Sequence, residues 1–141
     1  MTSITLAQAN QIIDAALKKG RAENFQQLTV AVLDPGGHTV ALQREDNSGI
    51  LRVEIATAKA YGALGMGVST RTIGANNTDR PAFLASVAAA SGGKFVPVAG
   101  GVLVRNSDGD LIGAVGVSGD NSDNDEIAAT AGIEAAGLTV G

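Results

Sequence analysis

The chain has no cysteine and no tryptophan, a single histidine, and three phenylalanines and one tyrosine as its whole aromatic complement. Without cysteine there are no disulfides, no thiolate metal site and no cysteine nucleophile, a composition that suits a reducing compartment. One histidine excludes a multi-imidazole metal centre. Positive charge is also scarce: ten Lys and Arg stand against fourteen Asp and Glu, for a net charge of −4. The basic residues are scattered, and only Lys18, Lys19 and Arg21 form a local group. A nucleic-acid binder needs a basic footprint, and a single-strand binder also needs stacking faces. Neither is present. No stretch approaches the ~20 apolar residues of a membrane span. The opening MTSITLAQAN lacks the basic region and apolar run of an export signal. The expectation is one cytoplasmic domain covering residues 1–141, with no nucleic-acid or membrane partner.

Small residues are plentiful instead. Glycine occurs 19 times and alanine is abundant, while the core-sized residues are mostly Val, Ile and Leu. Small side chains let backbones approach closely. With so few large ones, a subunit interface is an expected extra source of burial, which points to a homo-oligomer.

Local signals define most elements. Thr5 and Gln8 have the spacing of a capping box, and Leu6, Ala9, Ile12, Ile13, Ala16 and Leu17 follow on one helical face. That helix is predicted to end near Gly20. LTVAVLD, residues 28–34, predicts a buried strand, the Pro35-Gly36-Gly37 turn stops it, and TVALQR, residues 39–44, returns as its hairpin partner. A helix is predicted over 51–64, stopped by Gly65 and Gly67, and another from an Asp79 N-cap to about Ala90. A second hairpin turns at Ser107-Asp108-Gly109, and a last helix covers roughly 123–136. KFVPV, residues 94–98, is the candidate fifth strand, at an edge because of Pro97. Two hairpins separated by helices predict an α+β fold, an antiparallel sheet with helices packed on it.

The stretch GAVGVSGDNSDNDE, residues 113–126, invites two ligand readings. Its glycines are spaced three and three rather than two and three, and four carboxylates would repel a phosphate. As a calcium loop it carries Asp125 at the sixth position and Ala131 at the twelfth, where glycine and a bidentate glutamate are required. A glycine-permissive strand running into an acid-capped helix accounts for it better, with Ser122 and Asp125 as a capping-box-like pair. No metal site is predicted.

Four side chains are candidates for chemistry. His38, just after the hairpin turn, is either a solvated strand residue or a single nitrogen ligand or base. Lys59 lies on a helix of small residues; lysine is seldom buried, which favours a solvated face, whereas a desolvated lysine would be a nucleophile or base. Arg71 is either an exposed structural residue or an anion clamp. Arg44, at a strand end, is placed to meet an acidic ligand or a subunit neighbour.

VLDPGGHTVALQRED (32–46), ATAKA (56–60), and VPVAGGV followed by DLIGAVGVSG and DNDEIAATAG together resemble the GlcG/HbpS-like haem-binding and haem-degrading family. The resemblance extends to the C-terminal domain of PduO-type corrinoid adenosyltransferases and runs over nearly the whole chain. It implies a profilin-like α/β/α arrangement around a roughly five-stranded antiparallel sheet, and a homo-oligomer. It also adds Gly100 and Gly101 to the ligand-binding candidates His38, Arg44 and Arg71, with Ala99 standing where the family usually has proline. The function it implies is a small-ligand-binding accessory protein, with haem or a related tetrapyrrole as the ligand. Two alternatives stand beside it: a cofactor-free enzyme or accessory factor in hydroxy-acid, oxo-acid or diol catabolism, using Lys59, Arg44 and Arg71, and a structural oligomeric module.

Overall fold

The computed structural model describes residues 2–141. Helix α1 (Leu6–Ala22) starts on the capping box, with Thr5 and Gln8 exchanging side-chain-to-backbone hydrogen bonds of 3.0 Å. Strands β1 (Thr29–Leu33) and β2 (Thr39–Arg44) form the first hairpin. Helices α2 (Arg52–Met66), α3 (Thr70–Asn76) and α4 (Pro81–Ala90) follow. The second hairpin is β3 (Gly101–Arg105) and β4 (Leu111–Ser118), leading into α5 (Ser122–Ala135) and a short β5 (Thr139–Val140). All neighbours in the sheet order β2-β1-β4-β3-β5 are antiparallel.

Side-chain alternation sorts the sheet into two faces. Val30, Val32, Val102, Val104, Val115 and Val117 point to one side and pack with Ile12, Ile13, Ala16, Ala128 and Ile133 of α1 and α5. Leu33, Leu103 and Ala114 point to the other, against Ala60 and Ala63 of α2. Hence the layers are α/β/α, with the larger core under α1 and α5.

The α2 side has few large residues because the helix lies almost on the sheet backbone. A Cβ on Gly116 would overlap the Ala56 carbonyl, and one on Gly101 would overlap the Lys59 carbonyl. These glycines are therefore a packing requirement of the layer rather than a loosening of the strands.

Three local expectations are corrected. Residues 94–98 are not a strand: Val98 N–H donates to the Val96 carbonyl, a tight turn, and Pro97 has no N–H for a ladder. The edge beside β3 is taken by β5, through Val104↔Val140 and Arg105↔Thr139. Helix α4 is capped by Arg80 without a side-chain bond, not by Asp79, and α5 is capped by Asn121, whose side chain accepts from Asn124 N–H, not by Ser122 and Asp125. Helix α3, with Ser69 as its cap, lies in a stretch that reads in sequence only as a helix stop.

Candidate functional site

Strand β1 ends at Leu33, and the carboxylate of the next residue, Asp34, organises the hairpin turn. It accepts from Gly36 N–H at 2.9 Å, His38 N–H at 3.0 Å and the His38 ring Nδ1 at 3.1 Å. An ionised carboxylate can only accept, so Nδ1 is the protonated donor, and in the neutral ring the lone pair is on Nε2. The backbone bond from His38 is the main reason the Asp34 pKa lies below its ordinary 3.8. The His38 side chain is 80% exposed, which leaves its unbonded nitrogen open to an incoming group.

The turn leans on α2. Gly37 sits at φ +82°, and a Cβ there would run into the Tyr61 ring 2.7 Å away, so only glycine lets the aromatic pack this close to the turn. Tyr61 then lines two grooves at once. One, of about 160 Å³, runs between the turn and α2 past Pro35 and Leu64. The other, of about 240 Å³, is bordered by Met66, Val87, Phe95 and Lys94. Lys94 Nζ lies 4.9 Å from the Tyr61 ring centroid, a cation–π contact. A third groove of about 290 Å³ continues past Lys94 toward Glu54 and Val53.

Lys59 is elsewhere and in the opposite condition. Its side chain is 2% exposed, which corrects the solvated-face expectation. It turns toward the sheet past Gly100, and Nζ donates to Asp125 Oδ2 and to the Val117 carbonyl, both at 3.0 Å. Asp125, 1% exposed, accepts Asp120 N–H through its other oxygen at 2.9 Å. Burial pushes the Lys59 ammonium below its ordinary 10.5 and the Asp125 carboxyl above its ordinary 3.8, because desolvation opposes both charges more than their attraction restores them. Gly100, at φ +125°, is what makes room: a Cβ there would stand 2.7 Å from Lys59 Nζ.

Arg71 has no free fork. Its guanidinium holds Glu126 at 2.9 Å and Asp123 at 2.5 Å, tying α3 to the start of α5. Arg44 donates to the Ser48 carbonyl and lines a polar groove of about 350 Å³ with Arg21 and Glu45. Lys59, Arg44 and Arg71 thus have separate partners; Arg44 lines one groove, while Lys59 and Arg71 line none of the four described. Gly100 and Gly101 are buried against Lys59 rather than lining a groove. Among the described residues no three His, Asp or Glu side chains gather into a metal-binding set.

Sequence reasoning passed over Asp34, Tyr61 and Lys94. Asp34 was legible, because an aspartate before a turn and four residues ahead of a histidine can bond both the turn and the ring. The meeting of Tyr61 with Lys94 was not, since it depends on how the 91–95 segment folds back on α2.

The layers and the sheet order define an α+β protein built around one antiparallel sheet, with an exposed, aspartate-oriented imidazole in its first hairpin turn. The chain belongs to the family described as "Haem degrading protein HbpS-like", whose model matches residues 4–134. It is 35% identical to Protein GlcG of Escherichia coli K12 over 120 residues, 83% of this chain and 84% of that one. Among solved structures it resembles a PduOC:haem complex with TM-score 0.85 and 25% identity, covering 99% of this chain and 98% of the other. HbpS superposes with TM-score 0.79 and 27% identity, covering 94% of this chain and 89% of HbpS.

Proposed function

We propose that this chain binds haem or a related metallated tetrapyrrole, with His38 as the axial ligand and Asp34 as the group that orients it. The observation that carries the reading is the 3.1 Å bond between Asp34 and His38 Nδ1, in a turn whose Pro35, Gly36 and Gly37 line a groove together with Tyr61. Metal-bound histidines regularly give their second ring nitrogen to a carboxylate, which sets the tautomer and raises the basicity of the ligating nitrogen. The donor set suits such a group: one imidazole with a free nitrogen, Tyr61 as a flat face, and an apolar groove alongside. When bound, an iron porphyrin would supply redox and dioxygen chemistry. This chain's own part is to hold the imidazole proton on Nδ1 and present Nε2. The haem in the PduOC complex and the family description support the reading.

The same proposal takes the protein as a cytoplasmic homo-oligomer. No helix is long and apolar enough to cross a membrane among the described residues, and Ile50 and Leu51 project outward. Helix α4, whose one polar side chain is Ser86, buries no residue fully within the chain. These are surfaces that a second copy would cover.

Titration with hemin, followed by absorbance, tests the assignment. A stoichiometric Soret shift is expected for the native chain, and His38→Ala is expected to abolish it. Absence of the shift in the native chain would rule out haem, and its persistence unchanged in His38→Ala would rule out His38 as the axial ligand.

A further inference from the structure

Lys94 stands apart from every other basic residue in the chain. Lys18, Lys19, Arg21, Lys59 and Arg71 each pair with a carboxylate. Arg44, Arg52, Arg80 and Arg105 each donate to a carbonyl, hydroxyl or amide oxygen. Among the described residues, the Lys94 ammonium alone has no oxygen partner, and its one neighbour of note is the Tyr61 ring. It is also the only charged side chain on the two grooves that share Tyr61. Glu54, in the adjoining third groove, makes no ion pair with it.

Local backbone explains the placement. Gly92 and Gly93 both adopt left-handed φ, +69° and +86°, directly after the last turn of α4. Two successive residues in that region reverse the chain without Cβ strain and return Lys94 across Tyr61, while Phe95 is buried against Gly62. The result is an apolar, aromatic-floored trough with one uncommitted positive charge at its rim. A ligand that matches it has a broad apolar body and an anionic substituent at its edge.

We infer that Lys94 is a specificity-determining residue that pairs a peripheral carboxylate of the bound ligand. The inference rests on the tetrapyrrole reading, in which that carboxylate is a porphyrin propionate. Tyr61 connects the two halves of the site: it touches the turn that carries His38 on one side and the Lys94 ammonium on the other. Because the pair would lie at an exposed rim, it contributes discrimination between acid and ester ligands more than bulk affinity.

The experiment uses hemin and its dimethyl ester, which keeps the ring and the metal but removes both carboxylates. Each is titrated into the native chain, Lys94→Gln, Lys94→Glu and His38→Ala, with the Soret band as readout and circular dichroism as the fold control. Lys94→Gln is expected to weaken hemin about two- to fivefold at low salt, the scale of one exposed ion pair. Lys94→Glu is expected to weaken it further, and the loss to shrink as salt is raised. Binding of the dimethyl ester is expected to be the same in the native chain and both Lys94 variants, while His38→Ala removes the shift with either ligand. Equal hemin affinity across the native chain and the Lys94 variants overturns the role of Lys94 and leaves the haem reading intact. Equal losses for hemin and ester overturn it also, since the lysine would then act through packing. If the native chain gives no shift with hemin, both readings fall together.

Discussion

Asp34 with His38 and Asp125 with Lys59 are built from the same chemistry, one aspartate and one basic nitrogen about 3 Å away, yet their surroundings are opposite. The first pair lies in a hairpin turn with its ring in water. The second is sealed between α2, the end of β4 and the start of α5. In the open pair the aspartate's acidity is enhanced by backbone N–H groups, and one ring nitrogen stays available. In the sealed pair burial works against both charges, and every polar atom is committed. The imidazole of the first pair is open to solvent, and the second pair is enclosed on all sides.

Breaking the buried pair is expected to have the largest effect. Lys59→Met leaves Asp125 without its counter-ion and is expected to cost about 3–5 kcal/mol in urea denaturation. Adding Asp125→Asn keeps an acceptor for Asp120 N–H and is expected to recover a large part of that loss. A cost below about 1 kcal/mol for Lys59→Met would mean that the pair is no clamp, and the contrast with Asp34 would fail.

Gly116→Ala probes the seal itself. The added Cβ collides with backbone, the Ala56 carbonyl, so α2 has to lift from the sheet. The expected cost is about 1–3 kcal/mol, toward the upper end because no flexible side chain can give way. Unchanged thermal stability would show that α2 is not held flush against the sheet.

Asp34→Asn gives the smallest change in stability, below about 1 kcal/mol at neutral pH, since the pair is exposed and asparagine can still accept in the turn. Its pH dependence has a definite sign. The folded-state pKa of Asp34 is depressed from 3.8, so its stabilisation is present above that value and is lost as pH falls through the folded value. The gap between Asp34→Asn and the native chain is therefore expected to close in strong acid. Hemin affinity is expected to fall roughly tenfold, the scale of losing a group that orients a ligating histidine. Loss of stability with hemin binding unchanged would invert the comparison.

Much of the fold was legible because its signals are local. The Thr5–Gln8 capping box, the Pro35-Gly36-Gly37 turn and the Asp108-Gly109 turn each specify a conformation within a few residues. KFVPV misled because its β-branched residues mimic a strand, while Pro97 and the turn at Val98 favour an irregular path. The two-residue β5 carries too little pattern to be seen. At the site, His38 was visible as a lone imidazole. Whether its Nε2 was free depended on which nitrogen Asp34 engages.

The sequence by itself determined the α+β class, the two hairpins, most helix boundaries, and a chemistry limited to one imidazole, with no thiols and no basic footprint. Those follow from composition and from interactions spanning three or four residues. Only the tertiary structure decided that Lys59 is buried, because its environment is supplied by Gly100, Val117 and Asp125, all far along the chain. It alone decided that Arg71 is already spent on α5 and that Lys94 is not spent at all. Desolvation and partner choice belong to the packed layers, and no local window of sequence contains both members of such a pair.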